Sequence, residues 1–459
     1  VEYSVVSEND FGKRTAFRFQ ITPVIPGLFK NPIFGKYGTT RQGEVEMAIK
    51  KLGLLTLITG AILSVSCPGL AYAGAAYIYE MANPSDTGYA GAGLAARAGD
   101  AGTVFTNPAG MTRFKESTIQ AGLTPLYLYA PFNPGQGTTV PGSDGDTTLL
   151  FAGANFAYIK PVSDNLRLGI SMGNFFGLSL NWGDNWVGRY IATEVTMIAP
   201  QLQPTAAYKV NSWLSIGAGA ALTVGYLKDK AQIKSQTLPA SLEDGYKFSD
   251  TDFAVQGNFG IMIEPSENTR FGVRYLTETD LDFDDRVEIP GVGPDPRLDL
   301  GMKMPQTIMG GVYHRINDKW AILGSVGWDD WSRFARVNVD IGIDDAGTTV
   351  DADFDDTWHF GVGAEYQYTP KLTLTAGFSY DSSMSKASTR PINLPLGEMY
   401  RYGVGFKYRK SDDVTLGAGF SFLWEGDLKI KPSGNEDKGF VTGQYDNVYL
   451  AFLSLFVQW

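Results

Sequence analysis

Apolar and polar residues alternate with a period of two from about Thr118 to the end of the chain. Within 414–422, even positions are apolar or aromatic and odd positions are Thr, Gly or Ser. The stretch 400–408 repeats this pattern, with Arg, Gly or Lys at the odd positions. Such alternation predicts strands with one apolar face. The segments are about ten residues or longer and carry aromatic residues near their ends, which is typical of strands that cross a bilayer.

The pattern predicts fourteen strands joined alternately by short and long connections. Asn, Asp, Ser and Pro, which favour turns, occupy the short connections 163–165, 210–212, 266–268, 316–318, 369–371 and 411–413. The predicted strands are 118–131, 148–161, 166–182, 193–210, 214–233, 253–266, 269–289, 303–316, 320–341, 356–370, 372–391, 397–411, 414–431 and 443–459. A soluble sandwich also alternates, but the strand length and the alternating connections favour an all-β membrane protein. We therefore expect a fourteen-stranded antiparallel outer-membrane β-barrel, because a sheet edge is not tolerated in lipid.

Composition removes several other classes. Hydrophobic residues make up 44% of the 459 residues, too few for a polytopic helical membrane protein, and 13% aromatics argue against disorder. The net charge of -11 gives no basic surface for nucleic acid. One Cys forms no internal disulfide, and two His leave little for metal binding or His-based catalysis. We predict no metal, no cofactor and no catalytic residue.

The first 73 residues contain an export signal. Residues 47–73 join a basic start, an apolar run and the small-residue cleavage motif Ala71-Tyr72-Ala73, which predicts a signal peptide. A membrane anchor fits less well because the apolar run is short. A lipid-modified Cys67 also fits less well, because Pro68 follows it and Ser64 replaces the expected Leu. Residues 1–46 are interpreted as an upstream extension without function.

Residues 74–117 do not alternate and consist largely of Gly and Ala, so their backbone can approach a wall closely. They include Asn107, Pro108, Ala109 and Gly110. A flexible linker is the alternative, although Val104 and Phe105 argue against it. We predict a hatch over 74–117 inside a barrel over 118–459.

The motif GYAGAGLAARAGDAGTVFTNPAGMTRF (88–114) resembles the N-terminal hatch of the FadL/TodX family of outer-membrane hydrophobic-compound transporters. Asn107-Pro108-Ala109 matches its NPA signature, and two further stretches, 175–190 and 203–222, are similar to the family. The resemblance covers 74–459. It implies a fourteen-stranded barrel plugged by the hatch, passive transport of long-chain fatty acids or aromatic hydrocarbons, and lateral exit through a gap at a kinked third strand.

The resemblance also implies site residues. Phe175, Phe176, Gly177 and Leu178 are expected at the lateral opening. Many relatives have Pro where this chain has Phe175, so we expect the kink to depend on Gly177 alone. Lys228 falls near the basic residue that fatty-acid transporters use for a carboxylate, but it needs a bulge to face the lumen.

Other residues receive structural interpretations. Inward parity predicts that Arg401 and Lys407 pair with the hatch or with wall residues such as Glu365, and that His359 is a hydrogen-bonded wall residue. One predicted loop, between the strands 166–182 and 193–210, contains Trp186, Arg189 and Tyr190. We interpret these three residues as part of an interfacial girdle.

The partners expected are hydrophobic small molecules, outer-membrane lipid and lipopolysaccharide, and the assembly machinery, which the terminal strand ending at Trp459 would engage. We expect a monomer with both mature termini in the periplasm. A general porin or structural barrel remains an alternative. An outer-membrane hydrolase is a weaker one, since it needs a nucleophile beside His314 or His359.

Overall fold

Fourteen antiparallel strands close into a barrel in the computed structural model, which describes residues 77–232, 245–288, 297–334, 336–340, 348–351, 353–435 and 439–459. The predicted signal peptide and upstream extension lie outside these residues. The strands are β1 (Thr118–Ala130), β2 (Phe132–Pro134), β3 (Thr147–Pro161), β4 (Leu166–Asn181), β5 (Glu194–Lys209), β6 (Leu214–Ala231), β7 (Tyr246–Ser266), β8 (Thr269–Leu276), β9 (Thr279–Arg286), β10 (Arg297–Met304), β11 (Thr307–Arg315), β12 (Trp320–Asp329), β13 (Arg336–Asp340), β14 (Thr348–Asp351), β15 (Thr357–Thr369), β16 (Leu372–Asp381), β17 (Met399–Arg409), β18 (Thr415–Lys429), β19 (Ser433–Asn435), β20 (Gly439–Val441) and β21 (Gly443–Gln458).

The barrel confirms the strand number predicted from the sequence. Its order is β1-β3-β4-β5-β6-β7-β8-β11-β12-β15-β16-β17-β18-β21, and β1 pairs with β21 to close the ring. At this seam, Ile119 N donates to Trp459 O at 2.7 Å and Trp459 N donates to Ile119 O at 2.9 Å. Six short turns join neighbouring strands at one end, called here the short-turn end. The other end carries the long connections.

Three predicted strands are not continuous. The segments 269–289, 303–316 and 320–341 are wrong as single strands. Strands β8 and β12 end early, and β11 begins only at Thr307, after β10 has ended at Met304. The chain continues into a second sheet with the order β14-β13-β10-β9. Residues 277–278 interrupt the first of these segments, and a short helix, α3 (Trp331–Phe334), interrupts the third.

Two further boundaries move for local reasons. The strand predicted over 253–266 begins earlier, at Tyr246, because β6 pairs with β7 as far as Ala231↔Tyr246. The strand predicted over 372–391 ends at Asp381. After it, the connection 382–398 folds around Arg390, whose guanidinium donates to the carbonyls of Leu396 and Lys429, both at 2.8 Å. Burial lowers the pKa of Arg390.

The N-terminal segment lies inside the barrel as four short helical turns. These are α1 (Tyr79–Ala82), η1 (Pro84–Tyr89), α2 (Thr103–Thr106) and η2 (Pro108–Arg113). Proline opens both η1 and η2, where its missing N–H costs no helical hydrogen bond. Nearly every side chain of the segment is buried. Among the described residues, no helix is long and apolar enough to cross a membrane.

The inner wall meets this segment with glycine. A Cβ added at Gly272 would overlap the carbonyl oxygen of Ala95, and one at Gly377 would overlap that of Tyr89. Glycine at these positions lets the two backbones touch. Glycine on the inner wall therefore leaves room for the internal segment.

Candidate functional site

The wall has a gap between β3 and β4. The two strands pair only from Phe156↔Met172 to Pro161↔Arg167. Beyond that point, residues 147–155 of β3 pair with β1 and not with β4. Residues 173–174 and 177–181 of β4 pair with β5 and not with β3. These two stretches define the β3–β4 gap. At its far end, Thr147 Oγ1 donates to Asn181 O at 3.0 Å, so the gap is a window and not a slit through the whole wall.

A bulge in β4 bends the strand at the gap. Asn174 pairs with Pro200 and Gly177 pairs with Ile198, so β4 has one more residue than β5 between these two pairs. Such an extra residue bends and twists the strand that carries it. This bulge lies in the third barrel strand, at Phe175 and Phe176, where the kink was expected.

Gly177 does not have the role expected of it. It is absent from the residues with positive φ. A Cβ there would lie 3.5 Å from Ile198 Cγ2, an ordinary contact. The expectation that the kink depends on Gly177 alone has no support here, because the extra residue of the bulge bends the strand.

Aromatic side chains line the inner side of the gap. Phe176 is 3% exposed. Its ring stacks on Trp331 at 6.1 Å and meets Tyr77 edge-on at 5.7 Å and Phe334 at 6.0 Å. The cluster joins the bulge, the N-terminal segment and helix α3. The side chains of Phe175 and Leu178 lie outside the described part of the structure.

Helix α1 lies across the gap from within. A Cβ at Gly153 of β3 would lie 3.8 Å from Met81 Cβ, and a Cβ at Gly173 of β4 would lie 3.8 Å from Ala82 Cα. Tyr77, just before α1, forms an isolated antiparallel bridge with Phe176. The N-terminal segment therefore covers the place where the wall is unpaired.

Asn107 fixes the second half of the segment. Its Nδ2 donates to Ala95 O at 2.6 Å and to Ile261 O on β7 at 3.1 Å, and its Oδ1 accepts from Ala109 N at 3.1 Å. Pro108 and Ala109 press against Gly217 of β6. The same turn includes Gly110, where a Cβ would overlap Thr103. The four residues predicted for the hatch thus form one turn bonded to the wall.

A buried polar network joins α1 to the opposite wall. Arg401 Nη1 donates to both carboxylate oxygens of Glu80, at 2.9 and 3.1 Å, and its Nε donates to Asp381 Oδ2 at 2.6 Å. His359 Nδ1 lies 2.8 Å from Asp381 Oδ1, and its Nε2 lies 3.1 Å from Ser325 Oγ. Parity had suggested partners for Arg401 and His359, but neither Glu80 nor Ser325 was recognised in the sequence.

A second predicted pair lies nearer the short-turn end. Lys407 Nζ donates to Glu365 Oε1 at 3.2 Å, as predicted. The Tyr89 hydroxyl of the N-terminal segment also donates to Glu365, at 2.5 Å. Wall charges therefore hold the segment at two levels.

The long-connection end is closed by packed aromatic residues. Trp186 is fully buried and stacks on Trp182, with ring centroids 4.9 Å apart. Trp182 Nε1 donates to the Tyr445 hydroxyl at 2.7 Å. The girdle interpretation of Trp186 is wrong, because a buried ring held inside the connections cannot lie at a lipid interface. In the same connection, Arg189 donates to Pro141 O at 2.5 Å and stacks over Tyr190.

Lys228 does not face the lumen. Strand β6 pairs with β7 without a register shift, so the bulge that Lys228 required is absent. Leu227 is buried instead, and the Lys228 ammonium forms an ion pair with Glu194, which also binds Lys230 at 2.9 Å. A ligand-carboxylate role for Lys228 has no support in this arrangement. No cluster suited to a metal ion occurs among the described residues.

A closed membrane barrel with its N-terminal segment in the lumen defines a class of outer-membrane transport proteins. A family model described as "Outer membrane protein transport protein (OMPP1/FadL/TodX)" matches residues 64–452, and the chain belongs to this family. The predicted resemblance is thereby confirmed, as are the outer-membrane location and the interpretation that the chain is not an enzyme.

Named relatives agree with this assignment. Outer membrane protein P1 of Haemophilus influenzae is 28% identical, covering 74% of this chain and 83% of that protein. The long-chain fatty acid transport protein of Escherichia coli strain CFT073 is 27% identical, covering 68% and 78%. A Pseudomonas aeruginosa FadL homologue of known structure has a TM-score of 0.75 at 18% identity, covering 84% and 99%. The Ralstonia pickettii toluene transporter TbuX has a TM-score of 0.60 at 16% identity, covering 81% and 97%, so it shows the fold alone.

Proposed function

We propose that this protein carries hydrophobic compounds, such as long-chain fatty acids or aromatic hydrocarbons, passively across the outer membrane, with exit through the β3–β4 gap. Both ligand classes come from the names of the relatives, one a fatty acid transport protein and one a toluene transporter. The observation that carries the proposal is the gap itself. It is unpaired, bordered by the bulge, lined by Phe176 and covered from within by the N-terminal segment, which is not part of the wall.

The physical reason for a lateral route is the cost of returning an apolar molecule to water. Each buried CH₂ is worth about 0.8 kcal/mol. A molecule that leaves through the wall enters hydrocarbon directly. Unpaired backbone at membrane depth is tolerated where protein covers it, and α1 supplies that cover. The gap therefore suits an opening that exists only while ligand passes.

The orientation, the division of the chain and the partners are part of the same proposal. We place the short-turn end and both mature termini in the periplasm, and we divide the chain into a signal peptide (47–73), a hatch (74–117) and a barrel (118–459), with 1–46 as an extension. Lipid and lipopolysaccharide would surround a monomer. The terminal strand ending at Trp459 would bind the assembly machinery.

The test is a staple across the gap. Replacing Met81 and Gly153 by Cys places two Cβ atoms 3.8 Å apart, which suits a disulfide. Uptake of radiolabelled oleate and toluene by cells is compared in the oxidised and reduced states. We expect the oxidised protein to bind ligand but not to transport it, and reduction to restore uptake.

A matched control ties the N-terminal segment to the wall elsewhere. The pair Ala96→Cys and Gly311→Cys has a Cβ separation of 3.3 Å and lies away from the gap. Uptake should survive this staple, because only α1 has to move. Full uptake by the oxidised Met81–Gly153 staple would refute exit through the gap. A large steady ion conductance of the parent in planar bilayers would favour a porin.

A further inference from the structure

We infer that the ion pair between Glu80 and Arg401 is a latch that holds α1 across the β3–β4 gap, which makes Arg401 a positioning residue for transport. The inference rests on the transport route proposed above. Arg401 and Glu80 are 321 positions apart in the chain and almost fully buried, at 3% and 0% side-chain exposure.

The wall side of the latch is rigid. Arg401 is held on β17 by Asp381 of β16, which contacts His359 of β15, which in turn contacts Ser325 of β12. Four neighbouring strands therefore fix the direction of the guanidinium. Its Nη2 also donates to Tyr77 O at 3.2 Å, so two points at the start of the N-terminal segment bind one side chain.

Helix α1 transmits this hold to the gap. It has only four residues, and Glu80 is followed at once by Met81, which meets Gly153, and Ala82, which meets Gly173. Fixing the Glu80 carboxylate therefore fixes the two residues that cover the window. Tyr77, held by the same guanidinium, carries the ring that packs on Phe176.

The molecule offers a comparison pair. Arg113 and Glu264 also join the N-terminal segment to the wall, but their side chains are 31% and 20% exposed and lie at the short-turn end. They border an open cavity of about 1260 Å³. Solvent weakens an exposed pair, whereas removing one partner of a buried pair leaves a charge uncompensated. The two pairs should therefore differ in their effect on the gap.

The variants are Glu80→Gln and Arg401→Gln, separately and together, with Arg113→Gln as the control. We expect each single change at the latch to raise the frequency of channel openings in planar bilayers by at least about tenfold. The double variant should add little, because both changes break one interaction. Arg113→Gln should open as rarely as the parent.

A rescue experiment distinguishes a latch that holds α1 from an ion pair that only stabilises the fold. Adding the oxidised Met81–Gly153 staple to Glu80→Gln should return the openings to the parent frequency, and reduction should release them again. Folding is checked by heat-dependent mobility on gels, and Arg401→Lys keeps a cation if Arg401→Gln does not fold. Parent opening frequency in folded Glu80→Gln would overturn the latch. If the staple failed to block uptake in the otherwise unchanged protein, the route would be wrong instead.

Discussion

Within the part of the chain that the structure describes, two interruptions of the barrel wall are closed by different means. At the β3–β4 gap, the described contacts behind the wall come mainly from apolar side chains of the N-terminal segment, Tyr77 and Met81, against Phe176 and Gly153. At the second interruption, where β8 ends at Leu276 while β7 continues to Tyr246, closure is polar. We call the latter the β7–β8 break.

Neighbouring residues seal the β7–β8 break. Thr277 N donates to Gly257 O at 3.0 Å, and Thr277 Oγ1 accepts from Gly257 N at 2.9 Å. Farther along, Asp282 N donates to the Asp252 carboxylate at 2.8 Å. Asp284 N donates to the Asp250 carboxylate at 2.7 Å. The groups that close the break belong to β7, to β9 and to Thr277 between β8 and β9, so they can move away only if these parts of the wall unfold.

The difference shows that an interruption of a barrel wall can be closed reversibly, as at the β3–β4 gap, or permanently, as at the β7–β8 break. Backbone groups inside a bilayer need partners. Side chains of the wall satisfy them permanently, whereas a separate segment covers them reversibly. We therefore expect changes at the gap to alter transport and changes at the break to alter stability.

Removing residues 74–116 should have the largest effect. The barrel should still form, because β1 pairs with β21 and no described barrel strand belongs to the deleted part. The lumen and the gap should both lose their cover, so ion conductance in planar bilayers should rise from near silence to a steady open level. Parent-level conductance would show that the segment does not obstruct the lumen.

Thr277→Val should weaken the break and spare the gap. The change removes the acceptor for Gly257 N while keeping the side-chain shape. Leaving that half-buried amide unpaired should lower the free energy of unfolding by about 0.5–1.5 kcal/mol. Urea unfolding in detergent measures this loss, and uptake per folded molecule should match the parent. A loss of uptake at unchanged stability would contradict the expectation that the β7–β8 break affects stability and the β3–β4 gap affects transport.

Gly177→Val should do little at the gap. Because a Cβ at Gly177 meets only ordinary contacts and Val favours strands, the free energy of unfolding should change by less than about 1 kcal/mol. Oleate uptake should stay near the parent level, since the bulge remains. Sharply reduced uptake by a folded variant would restore the importance of a glycine in the kink.

The smallest expected effect is that of acid on the β7–β8 break. Hydrogen bonds from Arg333 lower the pKa of Glu278, despite partial burial, and Lys303 contributes. A lowered pKa means that this stabilisation is present above the ordinary glutamate range and is lost as pH falls through the folded-state value. The exposed cluster is worth less than about 1 kcal/mol. The protection of amides near Thr277 from hydrogen exchange, corrected for the intrinsic rate at each pH, should fall modestly at low pH, and Glu278→Gln should abolish the fall.

Much of the barrel could be predicted because its two faces meet different surroundings. Leu416 and Phe420 alternate with Gly417 and Gly419, and the structure places the first pair outward. The same period misled the prediction after Leu276. Leu281 and Phe283 alternate as wall residues do, yet both are fully buried. Alternation shows that a strand has two faces, but it does not show which layer the strand joins.

The site was partly predictable for a similar reason. Asn107 belongs to a short local motif, so its turn could be anticipated. The Glu80–Arg401 pair depends on how the N-terminal segment is oriented inside the ring, which no local spacing encodes. Lys228 shows the reverse error, because a position suggested by resemblance did not survive the actual register of β6.

The close contact between the backbone of the N-terminal segment and glycines of the wall has an evolutionary consequence. A side chain added at Gly272 would strike Ala95, and one added at Gly377 would strike Tyr89. Such positions cannot drift independently, since enlarging one demands a shift of backbone on the other side. Divergence in this molecule is therefore channelled outward, to the lipid-facing positions and the connections, where a new ligand preference can arise without disturbing the fit within.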